Sequence, residues 1–234
     1  MSQRNRLIAV ISREATAGER ARLEREYETV SLPPDPALPP SAAHRPDMLF
    51  AALGDALIFP RAYRDRFTDP VESLAERTGM RLILSDAPRD GRLGDAVLWR
   101  GRLVESRAPL LFPELADAAR EAGIGSVRVR ARHVSRSCLV CGDALLTSGY
   151  GICTALSPLA KDVWFCPDTG IRGGIGGASG TADGVVFFFG DPSSMEYAET
   201  LSRFLDHAGL DCVLLDENHP LTDRGGIRFL NLKT

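Results

Sequence analysis

The side chains best suited to chemistry in this sequence are a cysteine and two histidines that stand close to predicted strands. Cys138 opens the apolar stretch 138–141, His133 lies shortly before it, and His44 lies in a similar segment further upstream. A thiol with its ordinary pKa of about 8.5 needs a neighbouring imidazolium or arginine before it becomes a nucleophile at neutral pH. The sequence therefore offers Cys138 as a nucleophile with His44 or His133 as general base. The alternative for Cys138 is a small buried residue without chemistry.

Three aspartates are candidates for a cation site. Asp47 and Ser135 stand at the same offset before a Gly-Asp pair, and Asp168 and Asp223 begin the corresponding segments of other parts of the chain. A carboxylate accepts two parallel N–H donors from a guanidinium, so three acids around one channel would select a cationic ligand. His219, in the last of these segments, is a third candidate base or ligand contact. The alternative for Asp47 is the capping of a turn.

Two other motifs predict no metal and no cofactor. Cys138 and Cys141 are three residues apart on a predicted strand, so their side chains point to opposite faces and cannot clamp one metal ion. The glycine-rich run 170–180 precedes a strand rather than a helix, which disfavours nucleotide binding, and Ser179 within it lacks the spacing of a nucleophile elbow. Gly177 and Ser179 instead fit a place where the backbone approaches a ligand or a neighbouring unit.

The bulk composition excludes several classes of function. With 234 residues, of which 44% are hydrophobic and 25% charged, the chain is long enough to bury a core. Its net charge of −3 and the lack of a long basic run argue against nucleic acid as a partner. The apolar stretch 7–11 is too short for a membrane span or a signal-peptide core, and the five cysteines are expected as free thiols. We expect a soluble cytoplasmic protein with a small-molecule partner, whose oligomeric state the sequence leaves open.

A Gly-Asp hexapeptide recurs along the chain at intervals of 40, 48 and 40 residues. The copies are Gly54–Phe59, Gly94–Trp99, Gly142–Thr147 and, more loosely, Ala182–Phe187. Recurrence at such a period is typical of stacked supersecondary units. Apolar or alternating residues flank each copy, so each one predicts two short strands joined by a turn at the Gly-Asp pair.

A helix and one more strand follow each predicted hairpin, which makes the unit ββαβ. The helices are predicted over 70–78, 113–122, 157–161 and 194–208. The beginning of the chain lacks the first strand of its hairpin, and an orphan strand lies at 226–230. Pairing of that strand with residues 7–11 would complete a fifth unit and leave no edge open. The sequence thus predicts an α/β fold over residues 1–234 as one domain, a five-bladed α/β propeller of ββαβ units closed by its N- and C-terminal strands.

This architecture resembles that of the guanidino-group-modifying enzymes, also called penteins, which include arginine deiminases, amidinotransferases and dimethylarginine dimethylaminohydrolases. More narrowly, the chain is similar to an uncharacterised bacterial family with the same fold. The segments that carry the resemblance extend from about residue 44 to the end of the chain and are His44–Met48, Cys138–Val140, Gly176–Gly180, Phe189–Asp191 and Leu221–Ile227.

The resemblance implies a pocket on the pseudo-fivefold axis. In catalytic penteins a cysteine attacks the guanidinium carbon, a histidine transfers protons, and acidic residues hold the guanidinium nitrogens. Hydrolytic members carry that cysteine on the C-terminal strand, which here reads Gly226–Leu230 and contains none. Met195 also stands where members of the narrower family tend to have histidine.

Two functions follow from these residues. The first is a cysteine-dependent hydrolase or transferase acting on a small guanidino or amidine compound, with Cys138 as nucleophile and Asp47 together with Asp168 or Asp223 holding the cation. The alternative is a catalytically inactive protein of the same fold that binds a small cationic or amino-acid ligand. Hydrogen-bond contact between Cys138 and a histidine in one pocket would favour catalysis, and burial of Cys138 would favour binding.

Overall fold

The computed structural model of the protein describes residues 7–87, 95–107, 112–167, 171 and 173–233. The strands within these ranges are, in chain order, β1 Leu7–Val10, β2 Glu28–Val30, β3 Ala51–Leu53, β4 Ala56–Pro60, β5 Arg81–Ser85, β6 Ala96–Trp99, β7 Arg102–Ser106, β8 Gly125–Val129, β9 Cys138–Cys141, β10 Ala144–Thr147, β11 Val163–Phe165, β12 Ser179–Ala182, β13 Val185–Phe188, β14 Asp211–Leu214 and β15 Arg228–Asn231.

The helices in the same ranges are short. They are α1 Ala17–Leu23, α2 Pro46–Leu49, α3 Arg61–Arg66, α4 Thr68–Thr78, α5 Pro113–Glu121, α6 Val134–Ser137, α7 Tyr150–Leu156 and α8 Ala198–Ala208, with 3-10 helices at Ile175–Ala178 and Pro192–Ser194. None of the helices in the described ranges has both the length and the apolar character that crossing a membrane requires.

All five sheets repeat one connection pattern. The strand orders are β15-β1-β2, β3-β4-β5, β6-β7-β8, β9-β10-β11 and β12-β13-β14, which we number units 1 to 5. In every unit the first two strands are antiparallel and the last two are parallel. Because parallel neighbours need a crossover connection, one or two helices join the second strand to the third. The predicted ββαβ unit is confirmed.

Strands from distant parts of the chain complete unit 1. β15 pairs antiparallel with β1, so that Leu7 lies opposite Asn231 and Val10 lies opposite Arg228. The pairing satisfies backbone groups along an edge of β1 that would otherwise be open. The predicted closure of the fold by its N- and C-terminal strands is confirmed.

The middle strand of a unit is packed on both of its faces. β4, β10 and β13 are buried along their whole length, and their sequences are accordingly almost unbroken apolar runs. Successive side chains of a strand point to opposite faces, so Leu145 contributes to one hydrophobic cluster and Leu146 to another. Each middle strand therefore ties its own sheet to the sheets on both sides.

Five hydrophobic clusters join the units in cyclic order. From units 1 and 2 around to units 5 and 1, the clusters bring together Ile8 and Phe59, Leu53 and Leu103, Val104 and Leu145, Leu146 and Phe188, and Phe187 and Ala9. Since the last cluster returns to the first unit, the five sheets form a closed ring. The first strand of each unit then lies nearest the ring axis.

Unit 3 differs from the prediction in the position of its hairpin turn. The sequence predicts a turn at Gly94-Asp95, but Ala96–Trp99 form the first strand and the turn is Arg100-Gly101. These two residues have φ values of 49° and 67°, the positive pair that a type I′ turn requires. The hexapeptide misleads because a four-residue apolar first strand and an apolar middle strand have the same pattern. Gly94 itself lies outside the described residues.

The helix of unit 4 lies earlier than predicted. The sequence predicts a short helix at 157–161, whereas α7 covers Tyr150–Leu156. Gly151 lies inside α7 and lowers the helix propensity of the segment, so propensity alone does not predict this helix. A side chain at position 151 would overlap the carbonyl oxygen of Arg130, so glycine there permits close packing of α7 against the end of β8.

We expect Leu230→Ala to destabilise the ring where it closes. Leu230 of β15 is buried in the cluster between units 1 and 2, and truncating such a side chain typically costs about 2–4 kcal/mol of unfolding free energy. The matched control is Leu159→Ala, because Leu159 is 46% exposed and its truncation should change stability by less than about 0.5 kcal/mol. Denaturant unfolding of both variants measures the difference. Equal effects would contradict a closure that depends on β15.

Candidate functional site

A cavity of about 280 Å³ lies on the axis of the ring. The first strand of every unit contributes to its wall, through Phe229, Ala52, Leu98, Val140 and Thr181 in the order of units 1 to 5. These side chains are at least partly exposed, whereas residues beside them on the same strands, such as Leu53 and Leu139, are buried in the clusters between units. The ring axis is therefore the natural place for a ligand.

Short helical turns lead into three of the strands that line the cavity. α2 precedes β3, α6 precedes β9, and the 3-10 helix Ile175–Ala178 precedes β12. Asp47 in α2 and Ser135 in α6 occupy corresponding positions, as their common offset from the Gly-Asp turns predicts. In unit 1 the segment 223–227 leads into β15 in the same way. These four segments all meet at one end of the axial cavity.

The two predicted acids Asp47 and Asp223 meet there, and both are bonded to arginines of the protein. Arg45 donates from Nε and Nη2 to the two carboxylate oxygens of Asp47 at 3.1 and 3.2 Å, and from Nη2 to Asp223 Oδ1 at 2.5 Å. Arg136 donates from Nε and Nη2 to Asp223 Oδ2 at 3.2 and 3.0 Å. We call Arg45, Asp47, Arg136 and Asp223 the axial ion-pair cluster. Each carboxylate in it already accepts the paired donors of a guanidinium.

The axial ion-pair cluster is largely shielded from water. The side chains of Asp47 and Asp223 are 3% and 2% exposed, whereas Arg136 is 24% exposed and forms the outer edge. Burial alone would lower the pKa of Arg45, but the charges of Asp47 and Asp223 and their hydrogen bonds outweigh it and raise that pKa. Removing one member would leave a buried charge without its partner, which is far more costly than breaking a surface pair.

The glycine-rich run makes room for Asp223. A side chain at Gly173 or at Gly177 would overlap the Asp223 carboxylate. The carbonyl oxygen of Gly177 also accepts the backbone N–H groups of Arg224 and Gly226 at 2.9 and 2.8 Å, which fixes the segment that carries Asp223. Gly177 thus contacts a neighbouring unit, which is one of the two roles expected for it.

Ser179 lies at the wall of the axial cavity, but its hydroxyl group is engaged. The Oγ atom donates to the carbonyl oxygen of Ile175 at 2.7 Å, and the side chain is buried. The bond closes the single turn of 3-10 helix onto the start of β12. Ser179 would therefore touch a ligand only as part of the cavity wall, because its hydroxyl group is already hydrogen-bonded.

Cys138 is deeply buried between units 3 and 4. Its side chain is 4% exposed and belongs to a cluster with Val104, Leu145 and Ile152. Burial raises the pKa of the Cys138 thiol to about 12, although a hydrogen bond from Sγ to Thr147 Oγ1 at 3.6 Å opposes this effect. Cys138 also borders the axial cavity. At neutral pH the group is a protonated thiol in an apolar environment.

None of the three candidate histidines is hydrogen-bonded to Cys138 in the part of the chain that the structure describes, and each makes other contacts. His44 Nε2 lies 2.9 Å from Glu14 Oε2, and His219 Nδ1 lies 2.8 Å from Asp216 Oδ2. His133 is exposed and donates its backbone N–H to Asp95 Oδ2 at 2.9 Å. Among the described residues, the hydrogen-bond partner of the Cys138 thiol is Thr147 and none of these imidazoles. Asp168, the remaining predicted acid, lies outside the described residues.

Asp95 and the arginines of the site cannot be recognised from their sequence pattern. Asp95 is buried and accepts the N–H groups of His133 and Ser135 at 2.9 and 3.4 Å, so unit 3 holds the start of α6 in unit 4. Burial raises the pKa of Asp95, although the charge of His133 and these backbone N–H groups oppose the shift. In the sequence, Arg136 looks like part of a solvated basic stretch. Arg228 is different, because a charged residue within an apolar strand does indicate a site residue.

Within the described ranges, no group of three or more His, Cys, Asp and Glu side chains comes together in a way that could hold a metal ion.

Comparison with known proteins identifies a family and a fold. The model of the family of unknown function DUF6873 matches residues 10–228, while a search of the curated proteins finds no match. A cysteine-to-serine mutant of dimethylarginine dimethylaminohydrolase from Pseudomonas aeruginosa, complexed with citrulline, is similar with a TM-score of 0.61 at 13% identity, over 91% of this chain and 92% of that one.

Two further solved structures are similar to the same extent. The N-terminal domain of ArgZ, a cyanobacterial arginine dihydrolase bound to product, has a TM-score of 0.58 at 13% identity, over 95% of both chains. A mutant of AgrE in complex with L-arginine has a TM-score of 0.61 at 13% identity, over 98% of this chain and 40% of that one. At these identities the likeness establishes the fold, which is that of the penteins.

We expect Gly177→Ala to disrupt the axial ion-pair cluster. The added methyl group would overlap Asp223, and relieving such overpacking typically costs about 1–3 kcal/mol of unfolding free energy. Gly125→Ala is the matched control, because a Cβ at position 125 has no heavy atom within 4 Å and its φ is ordinary. Chemical unfolding of the two variants measures the effect. A loss of stability that is equal in both would contradict the contact with Asp223.

Arg136→Ala should create a binding site for an added guanidinium ion. The variant removes both donors to Asp223 Oδ2 and is expected to lose about 3 kcal/mol of stability. Because Arg136 is the exposed edge of the cluster, millimolar guanidinium should enter the vacated place and raise the melting temperature relative to equal sodium chloride. Wild type and Arg120→Ala, which breaks an exposed pair with Asp117, should show no such rise. A rise of the same size in wild type would refute the internal occupation of Asp223.

Proposed function

The chain belongs to the family of unknown function DUF6873, and on that premise we propose that it binds a small molecule in its axial cavity without using Cys138 as a nucleophile. The observation that carries the proposal is the environment of Cys138. Burial raises the pKa of this thiol to about 12, so it stays protonated at neutral pH. Its hydrogen-bond partner is a threonine, which does not withdraw the proton.

The state of the acids supports the same proposal. The similar structures include complexes with citrulline and with L-arginine. In this chain Asp47 and Asp223 are engaged by Arg45 and Arg136, so a ligand guanidinium would have to displace one of them. Exchange of one buried guanidinium for another offers little gain, because the internal arginine is already held in place by the chain. A free cation therefore competes poorly at this end of the cavity.

A second candidate is a cysteine-dependent hydrolase or transferase acting on a guanidino compound. The observation in its favour is that Cys138 borders the same cavity, with Asp47 and Asp223 near one end of it. For this activity a ligand would have to displace Arg136 and bring a base to the thiol. The pKa of Cys138 would also have to fall from about 12 to near neutrality.

Thiol labelling separates the two candidates. With a chloroacetamidine probe at neutral pH, we expect exposed Cys212 to react and Cys138 to remain unmodified until the protein is unfolded, because the buried thiol lacks thiolate character. Peptide mapping by mass spectrometry gives the site, with Cys138→Ser and Cys212→Ser as matched controls. Fast labelling of Cys138 that guanidino compounds suppress, or turnover of such compounds that Cys138→Ser abolishes, would establish the hydrolase instead.

A further inference from the structure

Arg228 is a charged residue among those that line the axial cavity. It is the first residue of β15 and contributes to the cavity lining together with Ile227, Phe229 and Leu230. Among the described residues its side chain takes part in no ion pair or hydrogen bond, in contrast to Arg45 and Arg136 one segment away. The residue as a whole is half-buried.

The nearest acid cannot neutralise Arg228. Asp47 is the carboxylate whose charge acts on it, yet both oxygens of Asp47 are bonded to Arg45 and one also lies 3.9 Å from Arg136 Nε. Burial lowers the pKa of Arg228, and the charge of Asp47 opposes this shift only in part. Among the described residues, three guanidinium groups thus share two carboxylates at this end of the cavity, which leaves one positive charge.

Among the described residues, the lining of the cavity contains no acidic side chain that could pair with Arg228. Ala52, Leu98 and Val140 are apolar, and the hydroxyl group of Thr181 lies 3.6 Å from Cys141 Sγ. A cation partly withdrawn from water into such surroundings is costly unless an anion joins it. An anion that enters the cavity would meet attraction in a setting of lower dielectric constant than water.

We propose that the axial cavity binds a small carboxylate whose head pairs with Arg228 and whose short apolar tail lies along Ala52, Leu98 and Val140. This inference rests on the proposed binding function and names its ligand class. A carboxylate matches the fork of a guanidinium with two oxygens, and the apolar walls favour a hydrocarbon tail over the hydration shell of an inorganic ion. A cavity of about 280 Å³ lies at the small end of ligand pockets, which restricts the tail to a few carbons.

The test is isothermal titration calorimetry of the full chain with hexanoate, hexanamide and hexylamine, which share one tail and differ in the charge of the head. We expect wild type to bind hexanoate at least about tenfold more tightly than hexanamide, as hydrogen bonds to charged groups imply. Arg228→Met keeps the length of the side chain without its charge and should remove this preference, whereas Arg228→Lys should keep part of it. Ala52→Phe fills the cavity and should abolish binding of both probes.

A stability measurement tests whether Arg228 has a structural role in place of a ligand-binding one. Because Arg228→Met removes a charge that lacks a partner, its melting temperature should equal or exceed that of wild type. A large decrease would overturn the inference, since it would mean that Arg228 serves a partner within the fold.

The other outcomes separate this inference from the proposed function. Equal affinity for hexanoate and hexanamide, or a preference for hexylamine, would overturn the carboxylate as the ligand class. If Ala52→Phe abolished that binding, the cavity would still be upheld as a binding site. Tighter binding of inorganic phosphate than of hexanoate, lost in Arg228→Met, would overturn the apolar tail. Absence of binding by every probe would overturn the carboxylate, and Cys138-dependent turnover of a guanidino compound would in addition overturn the proposed function.

Discussion

The carboxylate of Asp223 is the point on which the arrangement of the axis depends. It belongs to unit 1 and accepts hydrogen bonds from Arg45 of unit 2 and Arg136 of unit 4, while Gly177 of unit 5 packs against it without a side chain. Unit 3 joins the same assembly through Asp95, which holds the start of the helix that carries Arg136. Hydrophobic clusters hold neighbouring units together, but this network connects segments from all five and fixes how they meet at the axis.

The acids of this network bind guanidinium groups of the protein itself. Carboxylates that accept paired donors are the means by which a protein selects a guanidinium, and here the selected groups are Arg45 and Arg136 of the chain itself. The ion pairs give geometric definition to the ring axis, since each guanidinium donates its hydrogen bonds in its own plane. The charge that remains for a ligand is then that of Arg228, so the electrostatic character of the cavity is opposite to the one its acids indicate.

The sequence predicts the ring better than the site, for a physical reason. Repeated apolar runs and Gly-Asp turns report local structure, and they predict the ββαβ unit and its closure, with an error in unit 3 where a first strand resembles a middle strand. The corresponding positions of Asp47 and Asp223 before their strands likewise indicate that they meet. The arginines that bond these acids cannot be predicted in the same way. Arg136 and Asp223 are distant in the chain, and the sequence around a basic residue does not indicate which acid it will bond. Whether Cys138 is buried also depends on packing between units 3 and 4, which no local pattern records.

The pairing of β1 with β15 has a consequence for the order of events in folding. β1 is synthesised before units 2 to 5, yet its antiparallel partner contains residues 228–231 and is made more than two hundred residues later. Units 2 to 5 can assemble from local contacts during translation, whereas unit 1 needs a contact between residues more than two hundred positions apart. Until then the nascent ring is an open arc with an unpaired strand edge. Closure of the ring, and with it the completion of the axial cavity, therefore comes after the assembly of units 2 to 5.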